Sequence, residues 1–88
     1  MKKDNEIWDD YSFVIRAKNR KSVLKALVTP QTPSSIQRAN KISLNVTSRA
    51  LRELSRKKLI ICKTPKLKVG RVYVLTRKGK KVLEMLRK

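Results

Sequence analysis

Three observations in the sequence predict a mainly α-helical domain with one small β-hairpin. Apolar residues recur at helical spacing in five separate stretches. After Lys58 the period changes, and "LIICKT" and "RVYVLT" are β-branched and apolar around a turn holding Pro65 and Gly70. Two short helical stretches just before that hairpin are joined by a turn of about three or four residues, the spacing of a helix-turn-helix. The order helix, helix, helix, helix, strand, wing, strand, helix is that of a winged helix-turn-helix.

The elements follow in chain order. At 88 residues the chain has room for one modest core, so residues 1–88 are expected to form one domain, with residues 1–5 disordered. Residues 6–18, "EIWDDYSFVIRAK", place Ile7, Trp8, Tyr11, Val14 and Ile15 on one helical stripe. Phe13 lies off the stripe, which suits either a side contact with the next helix or a subunit interface. A second helix is expected from about Asn19 to Val28, with Asn19 as its N-cap and Val23, Leu24, Ala26 and Leu27 as its apolar side. It must stop before Pro30, because the residue ahead of a proline avoids helical angles.

"TPSSIQRANK" reads as a short helix with Thr32 as N-cap and Pro33 at its first position, and Ile36 and Ala39 facing inward. Ser43 can cap the next helix, over residues 43–58, so the helix-turn-helix spans 32–58 and the wing hairpin 59–76. Thr76 is expected to cap the last helix, with Val82, Leu83 and Leu86 as its apolar side. Gly79, early in that helix, is locally unfavourable by about 1 kcal/mol against alanine, so a close backbone approach is expected there.

On a helical wheel, Ser43, Leu44, Thr47, Ala50, Leu51, Leu54 and Lys58 gather on one side. Asn45, Ser48, Arg49, Arg52 and Arg56 gather on the other. Like charges three and four residues apart cost an isolated helix a few tenths of a kcal/mol per pair, and Glu53, four residues from both Arg49 and Lys57, can offset part of this. The arginine face suits the major groove of DNA, since arginine forks onto guanine and asparagine onto adenine. Asn45, Ser48 and Arg49 stand nearest the N-terminus and are expected to reach base edges. Arg52 suits a base or a phosphate, and Arg56 a phosphate. Lys66, Lys68 and Arg71 on the hairpin suit the backbone or minor groove, reading charge and groove shape.

Composition agrees. Lysine and arginine number 24 against 6 acidic residues, a net charge of +18. Four of the acids fall in the first ten residues, so residues 11–88 hold only Glu53 and Glu84 against 22 cations. Such a charge repels itself in the compact state unless a polyanion binds it. DNA or RNA is the first candidate and an anionic membrane or an acidic protein the second. With the arginine face before a basic hairpin, double-stranded DNA is the expected partner, and RNA is disfavoured because no aromatic pair of the RNA-binding kind sits on a strand.

No stretch of 18 apolar residues occurs and no apolar segment follows the first lysines, so neither a membrane span nor a secretory signal is expected. With no histidine and one cysteine, no His/Cys zinc site, His-based triad or Cys–His pair can be assembled. With no acid/base pair, nucleophile–base pair or phosphate-binding glycine loop in view, a non-enzyme without cofactor is expected. Cys62 reads as a small hydrophobe in a strand. The "NVT" at 45–47 falls inside a helix, where the glycosylation pattern means little. The basic amphipathic end, "KGKKVLEMLRK", is more simply core or dimer contact than a membrane binder.

The residues "TPSSI", "TSRALRELSRKKLI", "CKTP" and "GRVYVLTRKGKKVLE" together resemble the archaeal branch of the MarR/ArsR-like winged-helix transcriptional regulators, over roughly residues 8–86. The most specific pieces are Ser48-Arg49-x-Leu51-x-x-Leu54 and Gly70-Arg71-x-Tyr73-x-Leu75-Thr76-x-x-Gly79. The resemblance implies DNA contact by Ser48, Arg49, Arg52 and Arg71, with Leu51, Leu54, Leu59 and Leu75 in the core. It also implies a homodimer, expected through residues 6–18 and 77–88; from the missing signal and span, a cytoplasmic, nucleoid-associated protein is expected. The chain departs from the pattern at Thr47, where an apolar valine is usual. It departs again at Lys57-Lys58, where a glycine turn usually ends the helix, so a less sharp helix end is expected.

Two other functions suit the same residues. One is non-specific packaging of nucleic acid or chromatin, marked by binding that depends on salt and hardly on sequence. The other is a winged-helix module that docks on a protein machine through the N-terminal aromatics.

Overall fold

The computed structural model describes the backbone of residues 2–87 and the side chains of residues 7–87. Its elements are α1 (Lys2–Ile15), α2 (Lys18–Ala26), α3 (Pro33–Asn40), α4 (Leu44–Arg56), β1 (Ile60–Cys62), β2 (Tyr73–Leu75) and α5 (Arg77–Arg87). The fold is mainly helical with one antiparallel hairpin, a winged helix-turn-helix. Strands β1 and β2 pair Ile60 with Leu75, Ile61 with Val74 and Cys62 with Tyr73.

The helix starts are set by side chains that satisfy otherwise orphaned N–H groups. Thr32 Oγ1 accepts from Ser35 N at 3.2 Å, and Ser35 Oγ accepts in return from Thr32 N at 3.1 Å, a reciprocal capping box ahead of Pro33. Ser43 Oγ accepts from Val46 N to open α4. Thr76 Oγ1 accepts from Gly79 N at 3.1 Å and donates to Lys58 O at 2.7 Å, so one hydroxyl caps α5 and ties it to the end of α4. The expected cap at Asn19 is corrected. Only Arg16 and Ala17 separate α1 from α2, so α2 starts earlier, at an extended Ala17 with no side-chain cap.

The first helix also differs from expectation. Its backbone is helical from Lys2, where disorder of residues 1–5 was expected, because extending a formed helix fixes only one more residue per hydrogen bond. Residue 1 lies outside the described residues. Of the predicted stripe, Val14 is fully buried, whereas Trp8 and Ile15 are 60% and 45% exposed. Ala39 and Leu44, expected inside, are exposed as well, and Leu75 is only partly buried. A wheel fixes the direction of a side chain but not whether another element stands there.

One apolar cluster holds the elements together. Val23, Leu24 and Leu27 meet Ile36 of α3, Ala50, Leu51 and Leu54 of α4, Leu59 and Ile60 of the hairpin, and Val82 of α5. Thr47 is buried among them, and its hydroxyl donates to Ser43 O at 2.9 Å, so a polar residue in this position is satisfied. Asp10, also buried, faces Lys78 Nζ at 3.1 Å, linking α1 to α5 by charge.

The end of α4 is sharp, contrary to the expectation from Lys57-Lys58. Lys58 takes the left-handed conformation at φ +61°. Its N–H donates to Ser55 O at 2.9 Å and Leu59 N donates to Leu54 O at 3.1 Å, which together close a Schellman turn. The wheel therefore did not apply to Lys58, which lies past the helix end. A side chain in this conformation costs about 1–2 kcal/mol, partly offset in glycine by its greater freedom when unfolded. Lys58→Gly is accordingly expected to stabilise the domain by about 0.5–1 kcal/mol, readable as a higher urea midpoint at unchanged slope.

Candidate nucleic-acid interface

Helix α3 and the Lys41 turn, left-handed at φ +54°, set the angle at which α4 leaves the support. With Thr47, Ala50, Leu51 and Leu54 buried, Asn45, Ser48, Arg49, Arg52 and Arg56 are all exposed. On the hairpin side, the ladder continues past β1 with Lys63 N donating to Val72 O at 2.7 Å. Thr64 Oγ1 accepts from Val72 N, and Gly70 turns the chain at φ +71°. Beyond that point the wing is irregular, so only three residues of each predicted strand pair. Arg71 Nε donates to Leu67 O at 2.6 Å, fixing the stem of its side chain across the loop.

The two halves meet in a groove of about 430 Å³ between α4 and the wing. Ser48, Arg52 and Ser55 line it from the helix, Lys68, Arg71 and Tyr73 from the wing, and Pro33 and Leu51 from beneath. The structure thus brings together Ser48, Arg52, Lys68 and Arg71 of the sequence-derived set. It leaves Asn45, Arg49, Arg56 and Lys66 outside this groove. Guanidinium forks, an ammonium and hydroxyl groups converging on one channel are donors only or donors by choice, suited to an anion.

Sequence reasoning missed Pro33, Ser55 and Tyr73 as groove walls. Ser55 stands seven residues after Ser48, so the wheel places them on one edge, and that signal was available. Gln31 carried no local signal: it exchanges N–H···O bonds of 3.1 and 2.8 Å with Tyr73, acting as a third strand residue that steadies the base of the wing.

Glu53 differs in part from the expected pairing with Arg49 and Lys57. Its carboxylate is held by Arg20 of α2, Nε to Oε1 and Nη2 to Oε2, both at 3.2 Å. Arg49 Nε lies further off at 3.9 Å. Lys57 is not a partner; its Nζ sits 5.2 Å above the Phe13 ring instead. Arg20 also stacks on that ring at 3.8 Å and donates to Phe13 O at 2.8 Å, so Phe13 makes the side contact with the next helix.

Hydrogen bonds from Arg20 hold the Glu53 carboxyl below the ordinary 4.5, against some loss of solvation and with help from the charges of Arg20, Arg49 and Arg56. A carboxyl whose pKa is lowered by folding stabilises above its unfolded value and loses that contribution as the pH falls through its folded value. Glu53→Gln is therefore expected to destabilise at neutral pH by about 0.5–1 kcal/mol. The difference from the parent should shrink below about pH 4.5, which urea unfolding along a pH series would read.

Ion pairs among the described residues are confined to Arg20–Glu53, Arg49–Glu53 and Lys78–Asp10. Among the described residues, the positive charge of α4 and the wing is otherwise unpaired. Among the described residues no three potential metal ligands cluster, and no helix is long and apolar enough to cross a membrane.

The helix-turn-helix, its exposed arginine face and the adjoining hairpin define the winged helix-turn-helix class. No family model and no curated protein sequence matches the chain. Solved structures do. A MarR family regulator from Neisseria meningitidis superposes with a TM-score of 0.73 at 23% identity, over 80% of this chain and 51% of its own. ZitR from Lactococcus lactis, in complex with DNA, superposes with a TM-score of 0.66 at 25% identity, over 75% of this chain and 47% of its own. A MarR family regulator from Silicibacter pomeroyi gives 0.67 at 24%, over 80% and 49%. The chain spans about half the length of these regulators.

Proposed function

We propose that this chain is a sequence-specific double-stranded DNA-binding transcriptional regulator of the MarR/ArsR-like type that its sequence resembles, and not an enzyme. The observation that carries the reading is the groove in which Ser48 and Arg52 of α4 face Lys68 and Arg71 of the wing. With α4 in the major groove and the wing along the neighbouring minor groove, a phosphodiester strand passes between them. Asn45, Ser48 and Arg49 then reach base edges near the start of α4, Arg52 reads a base or a phosphate, and Arg56 and Lys66 bind phosphates. The ZitR structure with DNA supports the same use of this fold.

A homodimer through residues 6–18 and 77–88 belongs to the proposal, supported by the exposed Trp8 and Ile15 of α1. Two copies would place their α4 helices about one DNA turn apart, on half-sites about 10 bp apart centre to centre. Non-specific packaging is the second reading, favoured by a charge of +18, of which the described residues pair only Arg20, Arg49 and Lys78.

Selection of bound duplexes from a random pool, at two salt concentrations, separates the readings. A two-fold symmetric motif that persists at the higher salt is the expected result. Recovery without a motif, and binding that collapses with salt, would mean packaging.

A further inference from the structure

The remaining acid on the recognition helix sits in an awkward place. Glu53 is four residues after Arg49 and next to Arg52, on a helix whose other face must meet a polyanion. A free carboxylate there would repel phosphate and, at this spacing, pair with Arg49 and draw it away from bases. The structure answers both effects with one side chain from another element. Arg20 spends two nitrogens of its fork on the two carboxylate oxygens and the third on Phe13 O. Its plane stacks on Phe13, and only 18% of the side chain is exposed. Such a fork, fixed on three acceptors, is far better organised than a mobile surface cation. Arg49, by contrast, stays 80% exposed and meets the carboxylate only as a loose ion pair at 3.9 Å, beyond hydrogen-bond distance.

We infer that Arg20 is a positioning residue for DNA recognition: by occupying Glu53 it keeps Arg49 available to the major groove and cancels the one negative charge on α4. The inference rests on the reading that α4 binds duplex DNA. It adds that a residue on α2, which lines neither the groove nor the wing, sets how well Arg49 can read a base.

Arg20→Met keeps the unbranched bulk against Phe13 and removes the fork. Binding to the selected duplex would be measured for the parent, Arg20→Met, Glu53→Gln and the double variant, with thermal unfolding of each as the control for folding. Arg20→Met is expected to weaken binding roughly tenfold and to flatten the preference at the base pair read by Arg49. The double variant, having no carboxylate to capture Arg49, is expected to recover most of both. A purely structural role for Arg20 would not be rescued by Glu53→Gln. If the double variant binds as poorly as Arg20→Met, or Arg20→Met binds as the parent does, the inference is overturned and the DNA reading stands. If the folded parent binds no duplex, both fall together.

Discussion

Replacing Gly79 by alanine is expected to destabilise the domain by about 2–3 kcal/mol, even though alanine is the better helix former. A Cβ at this position would collide with the carbonyl oxygen of Leu59, and would stand 3.0 Å from its carbon and 3.3 Å from Leu75 Cδ2. Backbone atoms cannot rotate aside as a side chain can. The same Leu59 carbonyl accepts from Thr76 N at 3.0 Å, so moving it would also disturb the entry of α5 and the pairing of β1 with β2. The helical gain of about 1 kcal/mol for alanine is therefore outweighed by overpacking, and a fall in Tm of roughly 10–20 °C should appear in a thermal scan. A gain in Tm would show that α5 does not approach the hairpin this closely.

The second large effect lies on the proposed DNA surface. Arg49→Ala is expected to cost about 1–3 kcal/mol in binding the selected duplex and to relax preference at one base pair. Lys68→Ala, on the wing, should weaken all sequences alike and reduce the slope of log affinity against log salt by about one. The contrast between the two is the useful quantity. A base contact changes which duplexes are chosen, whereas a phosphate contact changes how tightly every duplex is held. Competition binding against the motif and against scrambled duplexes, each at several salt concentrations, reads both. An Arg49→Ala protein with unaltered preference would remove Arg49 from the set of base-reading residues.

Local chemistry made much of this molecule legible. Thr32, Ser43 and Thr76 are good caps in any context, and each satisfies a backbone donor at the start of its helix. The separation of Ala50, Leu51 and Leu54 from Asn45, Ser48, Arg49, Arg52 and Arg56 follows from the helical period alone. An excess of cations over acids on residues 11–88 points to a polyanion before any fold is known. Gly79 could be singled out because a glycine inside a helix is unfavourable unless something needs the space.

Other features depended on elements distant in sequence. Trp8 and Ile15 share a stripe with Val14, yet only Val14 finds a neighbour that covers it. Gln31 joins the hairpin because Tyr73 is presented to it, and Ser48 and Arg52 share a groove with Lys68 and Arg71 because the hairpin folds back beside α4. Glu53 was legible as a partner for Arg49 and Lys57, the cations four residues away. Arg49 does pair with it, at 3.9 Å, but Lys57 does not, and the closer hold comes from Arg20, 33 residues distant, whose fork is steadied by Phe13. The sequence by itself determined the order of the elements, the caps at Thr32, Ser43 and Thr76, the basic face of α4 and the basic wing, because these rest on propensities and periods felt within a few residues. Tertiary structure alone decided which faces are covered, which cations converge and which acid is neutralised, because those depend on side chains that meet only when the chain has packed.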